Sequence, residues 1–245
     1  MNALLINVLL ALAIAVFAFL VGGFPTAVVL GKVFYHKNPI DYGSHNSGGT
    51  NAGRVLGKKA GVIVIVVDIM KTVLVFWSVF SVIAFSGIRE KCDLWLDGSL
   101  YVWMTLPFAA LGHCYSPYLK FKGGKAVATL YGAIGGTSWV MFPLCFIVFP
   151  IVFKVCKKVM SKASIYTGGI LILIEWAIAI KLMLLGDSFD GGFLTWTFGT
   201  VSGLSLGWES VVCISITYLL MVIRHADNIK RIRDGKEKPL EWKSK

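Results

Sequence analysis

The chain has 245 residues, of which 56% are apolar and only 15% charged, with a mean hydropathy of +0.74. Soluble domains carry about 25% charged residues, and a soluble core of this length could not bury so much apolar side chain, so the composition reads as an integral membrane protein. The net charge of +11 suits nucleic acid only if it forms one exposed surface, and its distribution along the chain excludes that.

A spanning helix needs about 20 apolar residues to cross a hydrocarbon core of ~30 Å. In chain order the candidate runs are Ala3–Leu30, Ala60–Gly87, Leu100–Leu119, Ala126–Phe153, Ala163–Leu185 and Phe193–Ile223. The first is not a conventional signal peptide, because no Lys or Arg precedes Lys32 and the run is too long. Lysines and arginines gather between the first two runs, after the third, after the fourth and in the tail; these segments hold 20 of the 24. By the positive-inside rule all four face the cytoplasm and the N-terminus lies outside. The basic segments at 120–125 and 154–162 then require the chain between them to leave the cytoplasm and return. Broken at Gly135-Gly136, that stretch yields Ala126–Ile134 at about 14 Å and Thr137–Phe153 at about 26 Å. The first piece is a half-helix entering from the cytoplasmic face, where its backbone must be shielded by protein or line a wet cavity. In Phe193–Ile223 the span proper begins near Ser205. The expected fold is an all-α integral membrane protein with about seven membrane segments, one of them short, the N-terminus outside and the C-terminus cytoplasmic. Residues 1–245 form a single domain whose motif segments 31–60, 112–125 and 224–237 share the cytoplasmic face.

Each of these segments is more polar than a connector requires. Tyr42–Gly61 contains six glycines, Ser44, Asn46, Gly48, Thr50, Asn51 and then Arg54. Glycine permits close backbone approach, so successive N–H groups can converge on an anion, and arginine can clamp a phosphate with two parallel bonds. Leu111–Lys125 contains His113, Lys122, Gly123, Gly124 and Lys125 and feeds the half-helix. Unpaired N–H groups, a positive helix end and an ammonium together suit phosphate. The spacing is not a P-loop, since Leu119 and Ala126 occupy positions that need Gly and Ser or Thr. Arg224–Glu237 places His225 and Asn228 on one face if the last helix continues. Asp68 and Lys71 in the second run are read as a structural ion pair, and Gly132-x-x-x-Gly136 as a helix contact. Glu175 and Glu209 have no evident partner. Five scattered cysteines without C-x-x-C exclude a zinc site or a disulfide framework. Three phosphate-friendly segments on one membrane face imply a phosphorylated, lipid-linked ligand.

Gly43-Ser44-x-Asn46-x-Gly48-x-Thr50-Asn51-x-x-Arg54-x-x-Gly57-Lys58-Lys59 resembles the first signature of the acyl-phosphate:glycerol-3-phosphate acyltransferase (PlsY) family. Leu111-Gly112-His113 through Lys120–Thr129 resembles the second, and His225-x-x-Asn228-Ile229-x-Arg231-x-x-x-Gly235-x-Glu237 the third. Asp68-x-x-Lys71 also fits, so the resemblance covers nearly the whole chain. The chain departs from the family pattern with His45 and Ala126 where Gly is usual, Gly49 where Ala is usual, and Asn38-Pro39-Ile40 in place of Asp-x-Arg. Segment 186–204 is longer than the family norm. His45 is the departure expected to alter phosphate affinity, whereas Gly49 only enlarges backbone freedom.

The resemblance implies transfer of a fatty acyl group from acyl phosphate to the 1-hydroxyl of sn-glycerol 3-phosphate, giving lysophosphatidic acid and phosphate, without a cofactor, metal or protein nucleophile. It implies phosphate binding by Ser44, Arg54 and Lys125, and orientation of the glycerol by His225 and Asn228. The surrounding substrate site is expected from Asn46, Gly48, Thr50, Asn51, His113, Lys122, Gly123 and Gly124. The implied partners are the two small-molecule substrates, membrane lipid and the enzyme that makes the acyl phosphate, at the cytoplasmic face of the plasma (inner) membrane; nucleic acid is not expected. Two alternatives compete. His36-x4-Asp41 matches the H-x4-D pattern of CoA-dependent glycerolipid acyltransferases, a weak match on two residues. An organophosphate carrier could use the same basic half-helix, but residues 1–120 and 121–245 show no repeat.

Overall fold

The computed structural model describes residues 3–138, 141–185 and 208–242, and every regular element among them is a helix. The first apolar run is two helices, α1 (Ala3–Gly22) and α2 (Thr26–Tyr35), separated at Gly23–Pro25. Proline lacks the N–H a continuous helix needs, so the interruption falls there. A short 3₁₀ turn, Pro39–Asp41, leads to α3 (Gly49–Leu56), a helix inside the glycine-rich segment. Gly57 ends α3 and begins α4 (Lys58–Phe85) at φ +105°, a conformation that glycine alone adopts without strain. The 28 residues of α4 extend about 42 Å, more than a bilayer core requires.

Beyond the short α5 (Ile88–Lys91), the third run forms α6 (Ser99–Trp103) and α7 (Thr105–Cys114). Next comes α8 (Val127–Thr137), an 11-residue helix in the stretch where parity leads to the expectation of a half-helix. Its end lies at Ser138 instead of Gly135-Gly136, because Gly135 packs against Phe142 and Gly136, like Gly132, packs against α4. A Cβ on Gly132 would sit 2.7 Å from the Ile69 carbonyl, and one on Gly136 would sit 2.6 Å from Val73. Small residues at this spacing let α8 lie directly on α4. The remaining helices are α9 (Met141–Val155), α10 (Met160–Leu185), α11 (Trp208–Arg224) and α12 (Ala226–Arg233). The expected outer segment 186–204 lies outside the described residues.

Among the described residues, Ala3–Tyr35, Lys58–Phe85 and Met160–Lys181 are long and apolar enough to cross a membrane. The bent pair α11–α12 makes a fourth if counted as one span, and α9 is a shorter apolar helix. Their outward faces carry Leu12, Val66, Leu74, Phe146, Leu173 and Leu219, all exposed, as a lipid-facing surface should be. The shared core is Phe76, Trp103, Leu106, Leu130, Ile134, Leu171 and Ile214, contributed by α4, α6, α7, α8, α10 and α11. Several polar groups within it are paired across helices, whereas the buried Glu175 carboxylate has no hydrogen-bond partner among the described residues. Ser99 donates to Glu209 at 2.8 Å, which supplies the partner not evident in sequence. Asp68 accepts from Thr26 at 2.8 Å and pairs with Lys71 at 2.9 Å, while Lys71 also donates to the Phe24 carbonyl at 3.2 Å. These contacts fit the expected structural ion pair and fasten α4 to the break between α1 and α2.

Candidate active site

The three polar segments converge on one cavity of about 930 Å³. Asn51 shapes the first wall. Its side-chain oxygen accepts from the Ser44 N–H at 2.8 Å, and its NH₂ donates to the carbonyls of Pro39, Asn46 and Tyr42 at 2.8, 2.9 and 3.2 Å. With Asn51 only 1% exposed, its amide holds the loop together, and the loop presents Ser44, Asn46, Gly48 and Thr50 to the cavity. Asn46 accepts from Gly48 N–H at 2.9 Å and reaches the Gly123 carbonyl at 3.4 Å, joining the first segment to the second. Arg54, near the end of α3, also faces the cavity.

His113 and Arg224 build the second wall. The Gly124 N–H donates to the His113 carbonyl at 2.9 Å. A Cβ on Gly124 would fall 2.0 Å from His113 Nε2, and one on Gly123 would fall 2.3 Å from the His113 carbonyl oxygen. Both glycines are therefore required by close approach. His113 Nδ1 lies 3.1 Å from the Lys71 ammonium and so serves as acceptor, leaving the ring N–H on Nε2. Arg224 donates to the carbonyls of Gly124 and Gly123 at 3.3 and 3.5 Å and lies over the Tyr115 ring. The turn then delivers Lys125 to the cavity just before α8 begins.

The third wall differs from the continued helix considered in the sequence. The chain bends by 58° between α11 and α12, at His225. His225 and Asn228 nonetheless both line the cavity, because the bend rather than a shared helix face turns them inward. His225 Nδ1 donates to the Met221 carbonyl at 2.8 Å, which leaves Nε2 as an acceptor. Burial, with further weight from the Lys125 charge, pushes the His225 pKa down to about 4 despite the favourable Met221 bond. Lys125 donates to the Asn228 side-chain oxygen. Asn228 in turn donates to Glu237 at 2.6 Å, and Glu237 also accepts from Ser161 at 2.7 Å and Arg231 at 2.6 Å. Burial alone would raise the Glu237 pKa, but these three donors outweigh it and hold the carboxyl below its ordinary range. Burial, reinforced by Arg231, lowers the pKa of Lys125.

All five expected catalytic residues line this cavity, as do Asn46, Gly48, Thr50, Asn51, His113, Lys122 and Gly123; Gly124 supports the turn from behind. The lining carries seven Lys and Arg side chains against Asp68, Asp227 and Glu237, an excess of four cationic groups. An apolar arm of the same cavity runs between α8 and α9 along Val127, Tyr131, Phe142, Cys145, Phe146 and Phe149.

The sequence model described as glycerol-3-phosphate acyltransferase matches residues 12–235. A glycerol-3-phosphate acyltransferase of Macrococcus caseolyticus (strain JCSC5402) is 34% identical over 229 residues, covering 92% of this chain and 95% of its own. One from Staphylococcus aureus (strain JH9) is 35% identical over 234 residues, with the same coverage. The chain belongs to the glycerol-3-phosphate acyltransferase family. Its fold is similar to the crystal structure of PlsY (YgiH), an integral membrane glycerol 3-phosphate acyltransferase, in the glycerol 3-phosphate form. That likeness has a TM-score of 0.70 at 26% identity over 94% of this chain and 96% of the other. The lysophosphatidic acid form gives 0.69 at 26% identity over 94% of each.

Within this acyltransferase family pattern, the two departures from glycine have one backbone explanation. His45 has φ +54° and Ala126 has φ +56°, both in the left-handed region that glycine occupies freely. Gly49 does more than enlarge backbone freedom. A Cβ there would lie 2.4 Å from Ile65 and 2.8 Å from the Gly61 carbonyl, so its absence lets α3 seat closely on α4. Sequence reasoning missed Arg224, Arg231 and Glu237 as members of the acyltransferase cavity. The signal was an acid set among basic tail residues, but sequence spacing cannot say which base it faces.

Proposed function

We propose that the protein transfers a fatty acyl group from acyl phosphate to the 1-hydroxyl of sn-glycerol 3-phosphate, releasing lysophosphatidic acid and inorganic phosphate. The observation that carries this reading is a single cavity joining a wall with four excess cationic groups to an apolar arm. The mixed anhydride acyl phosphate and the monoester glycerol 3-phosphate together bring about three to four negative charges at neutral pH, and the arm suits an acyl chain. In the proposed topology about seven membrane segments, α8 among them as a half-helix, put the cavity at the cytoplasmic face of the plasma membrane with the N-terminus outside.

The glycerol hydroxyl oxygen attacks the acyl carbonyl carbon, the carbonyl-to-phosphate C–O bond breaks with its electron pair, and the hydroxyl proton passes to the departing phosphate. Ser44, Arg54 and Lys125 hold the phosphates, aided by Lys122 and by the backbone of Thr50 and Gly123, while Gly48 and Gly124, whose N–H groups are taken by Asn46 and His113, shape the loops. Neutralising the leaving phosphate lowers the barrier through preorganised charge. His225 stays neutral and accepts a glycerol hydroxyl at Nε2, and a group with a pKa of about 4 is a weak base at pH 7. Asn228 orients the Lys125 ammonium. Fixed placement of both reactants supplies the rest. Purified protein incubated with acyl phosphate and glycerol 3-phosphate releases phosphate in step with lysophosphatidic acid. Equal activity with acyl-CoA that is lost in His36→Ala, or counterflow of glycerol 3-phosphate in vesicles without acyl product, refutes the reading.

A further inference from the structure

The chain beyond α12 crosses back over the cavity. Gly235, at φ +67°, turns it, and the N–H groups of Lys236 and Glu237 both donate to the Arg231 carbonyl, at 2.8 and 3.2 Å. Leu240 N–H then donates to the Lys158 carbonyl in the α9–α10 turn at 2.8 Å. Finally Trp242 reaches α3, where its Nε1–H donates to the Thr50 carbonyl at 3.3 Å. Its indole occupies the space above Gly53, within 2.6 Å of where a Cβ would stand. Segment 236–242 is thus pinned at α12, at the α9–α10 turn and at α3. The last pin falls on the helix that carries Thr50 and Arg54.

Between the pins, Lys236 and Lys238 line the cavity with Glu237. Glu237 is spent on Asn228, Ser161 and Arg231. The two lysines make up two of the seven cationic groups at the cavity, so without them the excess falls from four to two. Both are exposed, so their attraction for an anion acts through solvent and weakens over a Debye length of about 10 Å at 0.1 M salt.

We propose that residues 236–242 form a strap completing the anion cavity, in which Lys236 and Lys238 hold phosphorylated substrate and Trp242 positions α3 with its Arg54. The proposal deepens the acyltransfer reading and rests on it for the identity of the anion. Its physical content is separable, because a strap of this kind acts on binding before it acts on chemistry.

The test is equilibrium binding of glycerol 3-phosphate to the full-length protein in detergent, at 20 and 200 mM salt, with KM and kcat measured alongside. The double variant Lys236→Gln/Lys238→Gln is expected to weaken binding at least fivefold at low salt, to flatten the salt dependence, and to raise KM with kcat within twofold. Trp242→Ala weakens binding similarly, and Trp242→Phe, which keeps the ring over Gly53, recovers most of it. The double variant Lys154→Gln/Lys157→Gln removes two charges near the same face but outside the cavity lining, and leaves binding unchanged. Wild-type affinity and salt dependence in the strap-lysine variant overturn the proposal, whatever Trp242→Ala does. So does an equal loss in the Lys154/Lys157 control. If Trp242→Ala does not fold, the lysine pair and Trp242→Phe decide. A protein that binds glycerol 3-phosphate through the strap yet transfers no acyl group refutes the acyltransfer reading and leaves the strap intact.

Discussion

Exchanging the chemical groups of Asn228 and Glu237 tests the centre of the site. Asn228 accepts from the Lys125 ammonium and donates to Glu237 at 2.6 Å. In Asn228→Asp the ammonium keeps its acceptor, but the donor to Glu237 becomes a second carboxylate. Two unit charges at that distance repel by about 6 kcal/mol at an effective dielectric of about 20, a ceiling that rotation or proton uptake relieves. The lost charge-assisted bond alone is worth about 1.5–3 kcal/mol. Asn228→Asp should therefore lose about a hundredfold in kcat/KM, near 2.7 kcal/mol. In Glu237→Gln the amide keeps an acceptor for Arg231 but presents N–H groups toward the Asn228 amide, and activity falls about tenfold. The double variant restores one donor and one acceptor along the line Lys125–228–237 and preserves net charge, so it should recover to within about tenfold of wild type. A cycle of acyl-transfer kinetics with the four proteins reads the coupling directly. Additive losses in the double variant would refute the network from Lys125 to Glu237.

Three further outcomes follow from the same geometry. Ser44→Ala, Arg54→Ala, Lys125→Ala and His225→Ala each lose at least about tenfold in kcat/KM, about 1.4 kcal/mol, whereas Cys114→Ala changes little; wild-type kinetics in both Arg54→Ala and Lys125→Ala would remove the site. The folded His225 takes its proton only near pH 4, while the unfolded chain takes it near 6.5, so stability is complete above pH 6.5 and falls by about 3 kcal/mol toward pH 4. Thermal unfolding should show that loss in wild type and less of it in His225→Asn. Activity should show no His225-dependent limb between pH 5 and 8, only a decline below about pH 6 as the substrate phosphates protonate. At φ +54°, His45→Gly should hold or raise the unfolding temperature, and the β-branched His45→Val should lower stability by about 1 kcal/mol, read by thermal unfolding.

Hydropathy and charge order made the helical runs legible, and the basic segments flanking Ala126–Phe153 pointed to a division of that run, which the structure shows as α8 and α9. The ends were less legible. Gly135-Gly136 looked like a break, but the close approach of Gly135 to Phe142 and of Gly136 to Val73 rewards continuing to Thr137. The bend at His225 carries no proline or glycine to announce it. In the site, glycine, amide and basic residues pointed to phosphate, yet their separate tasks did not show. Asn51 reads as a donor to ligand, but its amide is consumed by four backbone groups. Glu237 meets Asn228 only because Gly235 turns the chain, and Arg224 meets Gly123 and Gly124 a hundred residues away. Such pairings depend on tertiary approach, which local spacing does not encode. The left-handed backbone at His45 and Ala126 was hidden for the same reason, since neither residue is glycine.

Because the cationic wall and the apolar arm between α8 and α9 belong to one cavity, the two products of the proposed transfer part by phase. In that reading inorganic phosphate, being charged, leaves into water, while a single-tailed lipid whose chain lies in the arm leaves past Phe146, which is exposed on the outer surface. The two routes start from different ends of the cavity, so neither product has to pass the other on the way out.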